Sequence, residues 1–334
     1  MQIMIKAKEG QVTQCVCPFC QSELMFVKDN AFSCFACGKG GNLNEISDIL
    51  RHRVKPGLSG YPEDAKKILE INERAAMCYY ENVLVSNTGS AYLKKRGLRK
   101  EDIDTFGLGF APDSFTWLYD KLKNEYSSED LEISGLFRKD KYGRFYDFFR
   151  NRVMFPIFGF DGSVIAFGGR VMDDSKPKYL NSAESEVFSK HENLYGFPYD
   201  EAPQSDSILI CEGYMDLIAA KKAGITDSAA VLGTAVTREH ARLIASRYKH
   251  VYLGLDSDAA GIKAIQRSLR TLYAYGLTVS VPEFKPAKDP DEFFTRYGKD
   301  ALKKRIVEAS DAKRVIAKYA DAEELLDILI KSEV

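Results

Sequence analysis

Acidic side chains recur in three short segments of the second half of the chain. Glu212 stands in ICEGYMD, Asp256 and Asp258 in LGLDSDAAG, and Asp289 and Asp291 in AKDPDEFF. Each segment follows an apolar run that reads as a strand. In a parallel sheet the C-terminal strand ends open onto one crevice, so the spacing predicts that these carboxylates converge. Carboxylates crowded in one crevice repel each other unless cations neutralise them. Hard divalent ions such as Mg²⁺ are the natural partners, often together with phosphate substrates. Taken singly, an Asp-x-Asp suits a solvated loop or a helix cap equally well; the chemistry rests on three groups at three strand ends.

A second cluster lies at the other end of the chain. CVCPFCQSELMFVKDNAFSCFACGKGGN begins at Cys15 and holds five of the seven cysteines, four of them as the pairs Cys17/Cys20 and Cys34/Cys37. A Cys-x-x-Cys turn aims two thiolates at one point, and two such turns complete a tetrahedral Zn²⁺ site. Buried free thiols or a redox pair are the other readings of the same residues. Cys15 is the spare, although it could replace Cys17.

A third set is basic. Nine Lys or Arg fall between Arg138 and Lys178, among them Arg150, Arg152 and Arg170, with five acids in the same window. Tyr142, Phe145, Tyr146, Phe148, Phe149 and Phe155 are interleaved with them. Cations beside exposed rings suit single-stranded nucleic acid, the cations meeting phosphates and the rings stacking bases. A charged surface over an aromatic core accounts for the same composition.

The elements that must carry these groups follow from periodicity. SILIC (207–211), AAVL (229–232), HVYLGL (250–255) and LTVSVPEF (277–284) read as strands. They alternate with helices over 214–224, 237–248 with Thr237 as N-cap, and 259–276 closed by Gly276. That alternation predicts a parallel α/β sheet. AKKILEINERAAMCYYENVL (65–84) reads as a helix, and RHRVKPGLSGYPED (51–64) as a linker. The expected organisation is a small zinc ribbon over 1–50, the linker 51–64, and a mixed α+β region over 65–203. The α/β domain over 204–295 and a helical segment over 296–334 complete it. A chain of 334 residues with 45% apolar content is globular and holds more than one core, and its net charge of −1 leaves any nucleic acid to a local patch. No apolar run nears the roughly 20 residues of a membrane span, and the clustered cysteines fit a reducing, cytoplasmic compartment.

In this order, the segments resemble the bacterial DnaG-type primases. CPFC…CFACGKGGN is similar to the zinc-binding module of that family, and AYLKKRGLRKEDIDTFGLGFAP (91–112) to the opening of its RNA-polymerase core. FFRNRVMFPIFGFDGSVIAFGGRV (148–171) and PKYLNSAESEVFSKHENLYGF (177–197) are similar to its most characteristic stretches. ICEGYMDLIAA, VLGTAVT, GLDSDAAG and KDPDEFF resemble its Toprim fold, which is Rossmann-like. Two departures point toward a compact, phage-type member. Cys20 stands where chromosomal primases usually carry His, and about forty residues follow the Toprim region, too few for the family's helical subdomain together with its helicase-binding domain, so that a helicase partner is not expected to meet the usual contact. Asp-Ser-Asp at 256–258 replaces the usual Asp-Gly-Asp and keeps both carboxylates.

The resemblance implies a DNA primase that makes short RNA primers from NTPs on a single-stranded DNA template. Asp256, Asp258 and Asp289 would ligate Mg²⁺ or Mn²⁺, with Asp291 and Asp216 supporting. Glu212 would hold a metal or act as general base on the attacking hydroxyl. Arg150, Arg152 and Arg170 would form a ridge for template and triphosphate, with Lys178, Asn181 and Lys190 nearby. Start-site choice would fall to the zinc module, through Lys28, Phe32, Phe35 and Lys39. A Toprim nuclease, or a non-catalytic zinc and Toprim DNA-binding protein of recombination-mediator type, are the rival readings.

Overall fold

The computed structural model describes residues 62–199, 202–233, 235–256 and 259–318, together with four short strands between residues 12 and 42. By contacts the chain divides into two units, Met1–Tyr61 with Asp200–Ala202, and Pro62–Tyr199 with Pro203–Val334.

In the first unit, strands β1 (Val12–Cys15), β2 (Met25–Lys28), β3 (Ala31–Cys34) and β4 (Gly40–Asn42) form one antiparallel sheet in sequence order. The register pairs Cys15 with Met25 and Met25 with Cys34. Cys17, Cys20 and Cys37 lie outside the described residues.

The second unit opens with helix α1 (Glu63–Val85), which begins two residues before its periodicity predicts. Two acids in its first turn, Glu63 and Asp64, suit the positive end of the helix. Its inner face, with Ile71, Ala75, Cys78 and Tyr79, packs into a core shared with Leu118, Phe149, Met154 and Phe167. Burying each large apolar side chain contributes about 1.5–3 kcal/mol. Helices α2 (Asn87–Lys95) and α3 (Lys100–Phe106) follow, then β5 (Gly109–Ala111), α4 (Trp117–Leu122), α5 (Ser128–Ile133) and the hairpin β6 (Phe137–Lys139) and β7 (Phe145–Asp147). Strands β8 (Arg152–Phe158), β9 (Val164–Val171) and β10 (Tyr179–Asn181) complete an antiparallel sheet of order β10-β9-β8-β5. Nearly every residue of β8 and β9 is buried, so these strands lack the polar–apolar alternation of a one-faced sheet.

The rest of the unit alternates strand and helix, as the sequence predicts. In order come β11 (Ser207–Cys211), α6 (Tyr214–Lys222), β12 (Ser228–Ala230), α7 (Arg238–Ala245), β13 (His250–Gly254) and α8 (Ala259–Ala274). Then β14 (Thr278–Val281), α9 (Pro290–Val307, interrupted at Gly298), β15 (Ser310–Asp311) and α10 (Ala312–Ile316) follow. The sheet order is β12-β11-β13-β14-β15, parallel except for β15. Thr237 caps α7 by accepting the His240 N–H, and Gly276 adopts φ 71° at the end of α8. Among the described residues no helix is long and apolar enough to cross a membrane.

One tyrosine joins the antiparallel sheet to the parallel one. Tyr214, buried, stacks on Phe155 at 4.8 Å between centroids and donates its hydroxyl to Asn181 at 2.8 Å. Asn181 in turn donates to the Leu232 carbonyl at 3.2 Å. Gly168 of β9 lies flat against the Tyr214 ring, where a Cβ would come within 2.2 Å of it. No side chain fits at position 168 while that ring stays in place.

Candidate active site

The chain leaves β11, returns through α6 to β12 on one side, and then crosses to β13 on the other side of β11. This makes the β11–β13 pair the point where strand order reverses, and a crevice opens there beyond the strand ends. Glu212 follows β11 and Asp256 closes the segment after β13; the two are joined because the Asp256 N–H donates to Glu212 Oε2 at 3.1 Å. Gly261 is the residue that lets α8 start this close, since a Cβ there would lie 2.0 Å from the Asp256 carbonyl oxygen. Asp258 lies outside the described residues.

Two further acids come from helix N-termini. Asp289 is the N-cap of α9 and accepts the Glu292 N–H at 2.7 Å, while Pro290 takes the first helical position, where no N–H is needed. Asp216 sits in the first turn of α6 and accepts the Asp291 N–H at 3.2 Å. That bond ties the beginnings of α6 and α9 together. Burial drives the Asp216 carboxyl well above the usual carboxylate range, and Asp289, Asp256 and Asp291 nearby push in the same direction. Burial also raises Asp291, against the pull of Arg96, which it meets at 2.6 Å.

These acids form one wall of a cleft of about 640 Å³. Cations line the rest of the cleft and form its cationic wall: Lys94, Lys95 and Arg96 from the end of α2, Arg170 from β9, Lys178 ahead of β10, and Lys288, with Arg96 and Lys288 in contact with Asp291 and Asp289. Arg170 is 8% exposed, lies over the rings of Tyr92 and Tyr179, and has no hydrogen-bond partner at Nε or Nη1. A buried guanidinium with unspent donors is costly unless an acceptor arrives. Burial and the neighbouring Arg170, Lys288 and Arg96 together depress the Lys178 amine.

Not every residue singled out in the sequence reaches this cleft. Glu212, Asp216, Asp256, Asp289, Asp291, Arg170, Lys178 and Asn181 line it; Arg150, Arg152 and Lys190 do not. Arg152 is buried behind the cationic wall and donates to the carbonyls of Gly169 and Pro177, both at 3.1 Å. It braces the segments carrying Arg170 and Lys178. Arg150 lies instead over Phe115 and Tyr146, at 4.6 and 5.4 Å from their centroids. The Lys190 N–H donates to the Glu184 carboxylate. Sequence reasoning gave no role to Lys94, Lys95, Arg96 or Lys288, although KKRG at a helix end is a visible basic run.

The donors on the acidic wall are all carboxylate oxygens, the set that hard divalent cations take. The buried Asp216, surrounded by other acids, fits a cation nearby better than it fits water. Among the described residues, no three His, Cys, Asp or Glu side chains close into a ready metal-holding group. Acids and cations lining one cleft suit a substrate that carries phosphates and meets a metal at the same time.

Residues 79–201 match the family profile of the DNA primase catalytic core, N-terminal domain, and residues 209–294 match the Toprim-like profile. A DNA primase of Halalkalibacterium halodurans is 37% identical over 308 residues, which cover 83% of this chain and 50% of the relative. The chain thus spans about half the length of the curated relatives it matches. The crystal structure of the Aquifex aeolicus primase, comprising zinc-binding and RNA polymerase domains, aligns with a TM-score of 0.70 at 30% identity, covering 96% of this chain and 85% of that one. A DnaG primase catalytic domain bound to single-stranded DNA aligns with a TM-score of 0.69 at 30% identity, covering 77% and 84%.

Proposed function

The chain belongs to the DnaG-type DNA primases and carries their Toprim catalytic core, and from that premise we propose that it synthesises short RNA primers from NTPs on single-stranded DNA. The observation that carries this reading is the cleft that the carboxylates share with Arg170, Lys178, Arg96 and Lys288.

Asp256, Asp258 and Asp289 would hold Mg²⁺ or Mn²⁺, with Asp216 and Asp291 supporting. When bound, the metal supplies electrostatic stabilisation to the attacking and leaving oxygens of a nucleotidyl transfer. Arg170 and Lys178 bind the triphosphate and draw its negative charge toward the cationic wall. Glu212 keeps Oε2 on the Asp256 N–H and takes the proton of the attacking 3′-hydroxyl on Oε1. Pyrophosphate leaves along the cationic wall. Asn181, held between Tyr214 and the Leu232 carbonyl, keeps the segment carrying Lys178 in place.

Cys17, Cys20, Cys34 and Cys37 would hold one structural Zn²⁺, a reading supported by their spacing and by the similarity to a structure of zinc-binding and RNA polymerase domains. Since phosphate contacts carry no sequence information, this module, through Lys28, Phe32, Phe35 and Lys39, would choose the start site. Cys20 in place of His favours a phage-type member.

Incubation with NTPs, Mg²⁺ and single-stranded DNA should yield oligoribonucleotides that require the template. Loss of template without new RNA would replace the reading by a nuclease; neither product would leave a DNA-binding protein.

A further inference from the structure

The three arginines on and around β8 and β9 are held in different ways. Arg152 donates to the Gly169 and Pro177 carbonyls, both at 3.1 Å, and Arg150 donates to the Asp147 carbonyl. Arg170 is as buried as Arg152, 8% against 7% exposed, yet its Nε and Nη1 have no hydrogen-bond partner. Two aromatic rings take the place of those partners. The centroids of Tyr92 and Tyr179 lie 5.6 and 5.7 Å from the Arg170 Cζ. Both rings belong to elements that are fixed by contacts of their own. Tyr179 is the cross-strand neighbour of Arg170 in the β9–β10 register and lies against Tyr214 at 5.8 Å. Tyr92 stands one turn before Arg96, at the end of α2. That end is pinned by the Arg96 bond to Asp291 at 2.6 Å and by the Lys222 bond to the Gly97 carbonyl at 2.7 Å.

We propose that Tyr92 is a positioning residue for the triphosphate, its ring holding Arg170 by the face so that the in-plane N–H donors stay free for phosphate oxygens. This rests on reading the cleft as the NTP site. A guanidinium is flat, with its donors in the plane and none on the face. A carbonyl that immobilises it occupies a donor, whereas a ring immobilises it and occupies none. Arg152 shows the first outcome and Arg170 the second. Without the ring, a long side chain lacking hydrogen bonds of its own would sample several rotamers, and ordering it would weaken each phosphate contact. Tyr179 cannot be separated from the aromatic packing that its ring joins. Tyr92 can, because it is only partly buried and comes from a helix outside both sheets.

The test is binding of tripolyphosphate with Mg²⁺ to the full chain, followed by calorimetry, beside steady-state primer synthesis at varied NTP. Tyr92→Leu should weaken tripolyphosphate by about 3- to 10-fold and raise the KM for NTP by a similar factor, with kcat within about 2-fold. Tyr92→Phe keeps the ring and should restore both to within about 2-fold of wild type. In an Arg170→Ala background Tyr92→Leu should add nothing, since the group it positions is gone. A loss in that background as large as in the wild type overturns the proposal. So do equal losses in Tyr92→Phe and Tyr92→Leu, or unchanged affinity in Tyr92→Leu. Tyr92→Met replaces Tyr92→Leu if the latter fails to fold. A chain that binds tripolyphosphate in the expected pattern yet makes no primers would sink the primase reading and keep the ring's role. A chain that lacks the pattern loses that role, whether or not it makes primers.

Discussion

The two walls of the cleft are built on different principles. The acidic wall is made by a repeating unit: strand, tight turn, helix, with the carboxylate in the turn or at the helix start. Its members are separated in sequence by the length of one or two such units, and the parallel sheet brings them together automatically. The cationic wall has no repeat. Lys94–Arg96 end a helix, Arg170 leaves an antiparallel strand, Lys178 precedes another, and Lys288 lies in the loop before α9. The difference teaches that a site assembled by topology can be read from spacing, whereas one assembled by docking a separate sheet cannot.

Breaking the acidic wall should have the largest effect. Asp256→Ala or Glu212→Gln is expected to lower primer synthesis at least about 1,000-fold, roughly 4 kcal/mol of transition-state stabilisation, while leaving single-stranded DNA binding nearly intact. A fall of only a few-fold, measured by dinucleotide yield, would remove these carboxylates from the chemistry. On the cationic wall, Arg170→Ala should cost about 100-fold in kcat/KM for NTP, because one positioned phosphate donor is lost and the metal wall remains. If the two walls lost equal activity, the distinction between them would be wrong.

Arg152→Ala sharpens the comparison from behind the wall. A ridge residue facing the template would, on removal, weaken DNA binding and flatten its salt dependence. The buried Arg152, with its donors on two carbonyls, predicts another signature: a stability loss of about 1–3 kcal/mol with the salt slope unchanged. Denaturant unfolding and binding titrations at two ionic strengths separate the two.

The smallest change at neutral pH concerns His240, remote from both walls. Burial depresses its imidazole to about 4; Nε2 lies 3.2 Å from the Asn193 carbonyl, and Nδ1 accepts the Thr237 N–H. A base with a lowered native pKa contributes stability that is complete above its unfolded value, near 6.5, and is lost as pH falls toward 4. The loss over that window should reach about 3 kcal/mol. It should vanish in a His240→Gln variant that folds. A wild-type unfolding free energy that stays flat from pH 6.5 to 4.5, with no difference between the two, would count against a neutral buried ring.

How much of this was legible follows the same division. The four strands β11 to β14, the Thr237 cap and the Gly276 stop were readable because apolar runs and cap residues are local properties. The convergence of Glu212, Asp256, Asp289 and Asp291 was readable because strand polarity decides it. The resemblance places Arg152 with the ridge cations because composition does not distinguish a guanidinium on the surface from one spending its donors on backbone carbonyls 17 and 25 residues away. Arg96 was overlooked for a similar reason. Its partner Asp291 lies 195 residues later, and no spacing rule links the end of one helix to the start of another at that distance. Nor could sequence reveal that Asp291 is held by a cation of the chain itself.

The ring of Tyr214, pressed on Gly168 and bonded through Asn181 to the Leu232 carbonyl, also decides how the unit comes apart. Neither sheet can melt first without stranding a buried hydroxyl and leaving a hole the size of an aromatic ring in the survivor. Residues 62–318 should therefore unfold in one calorimetric transition, with van't Hoff and calorimetric enthalpies in agreement, even though the unit holds an antiparallel sheet and a parallel one.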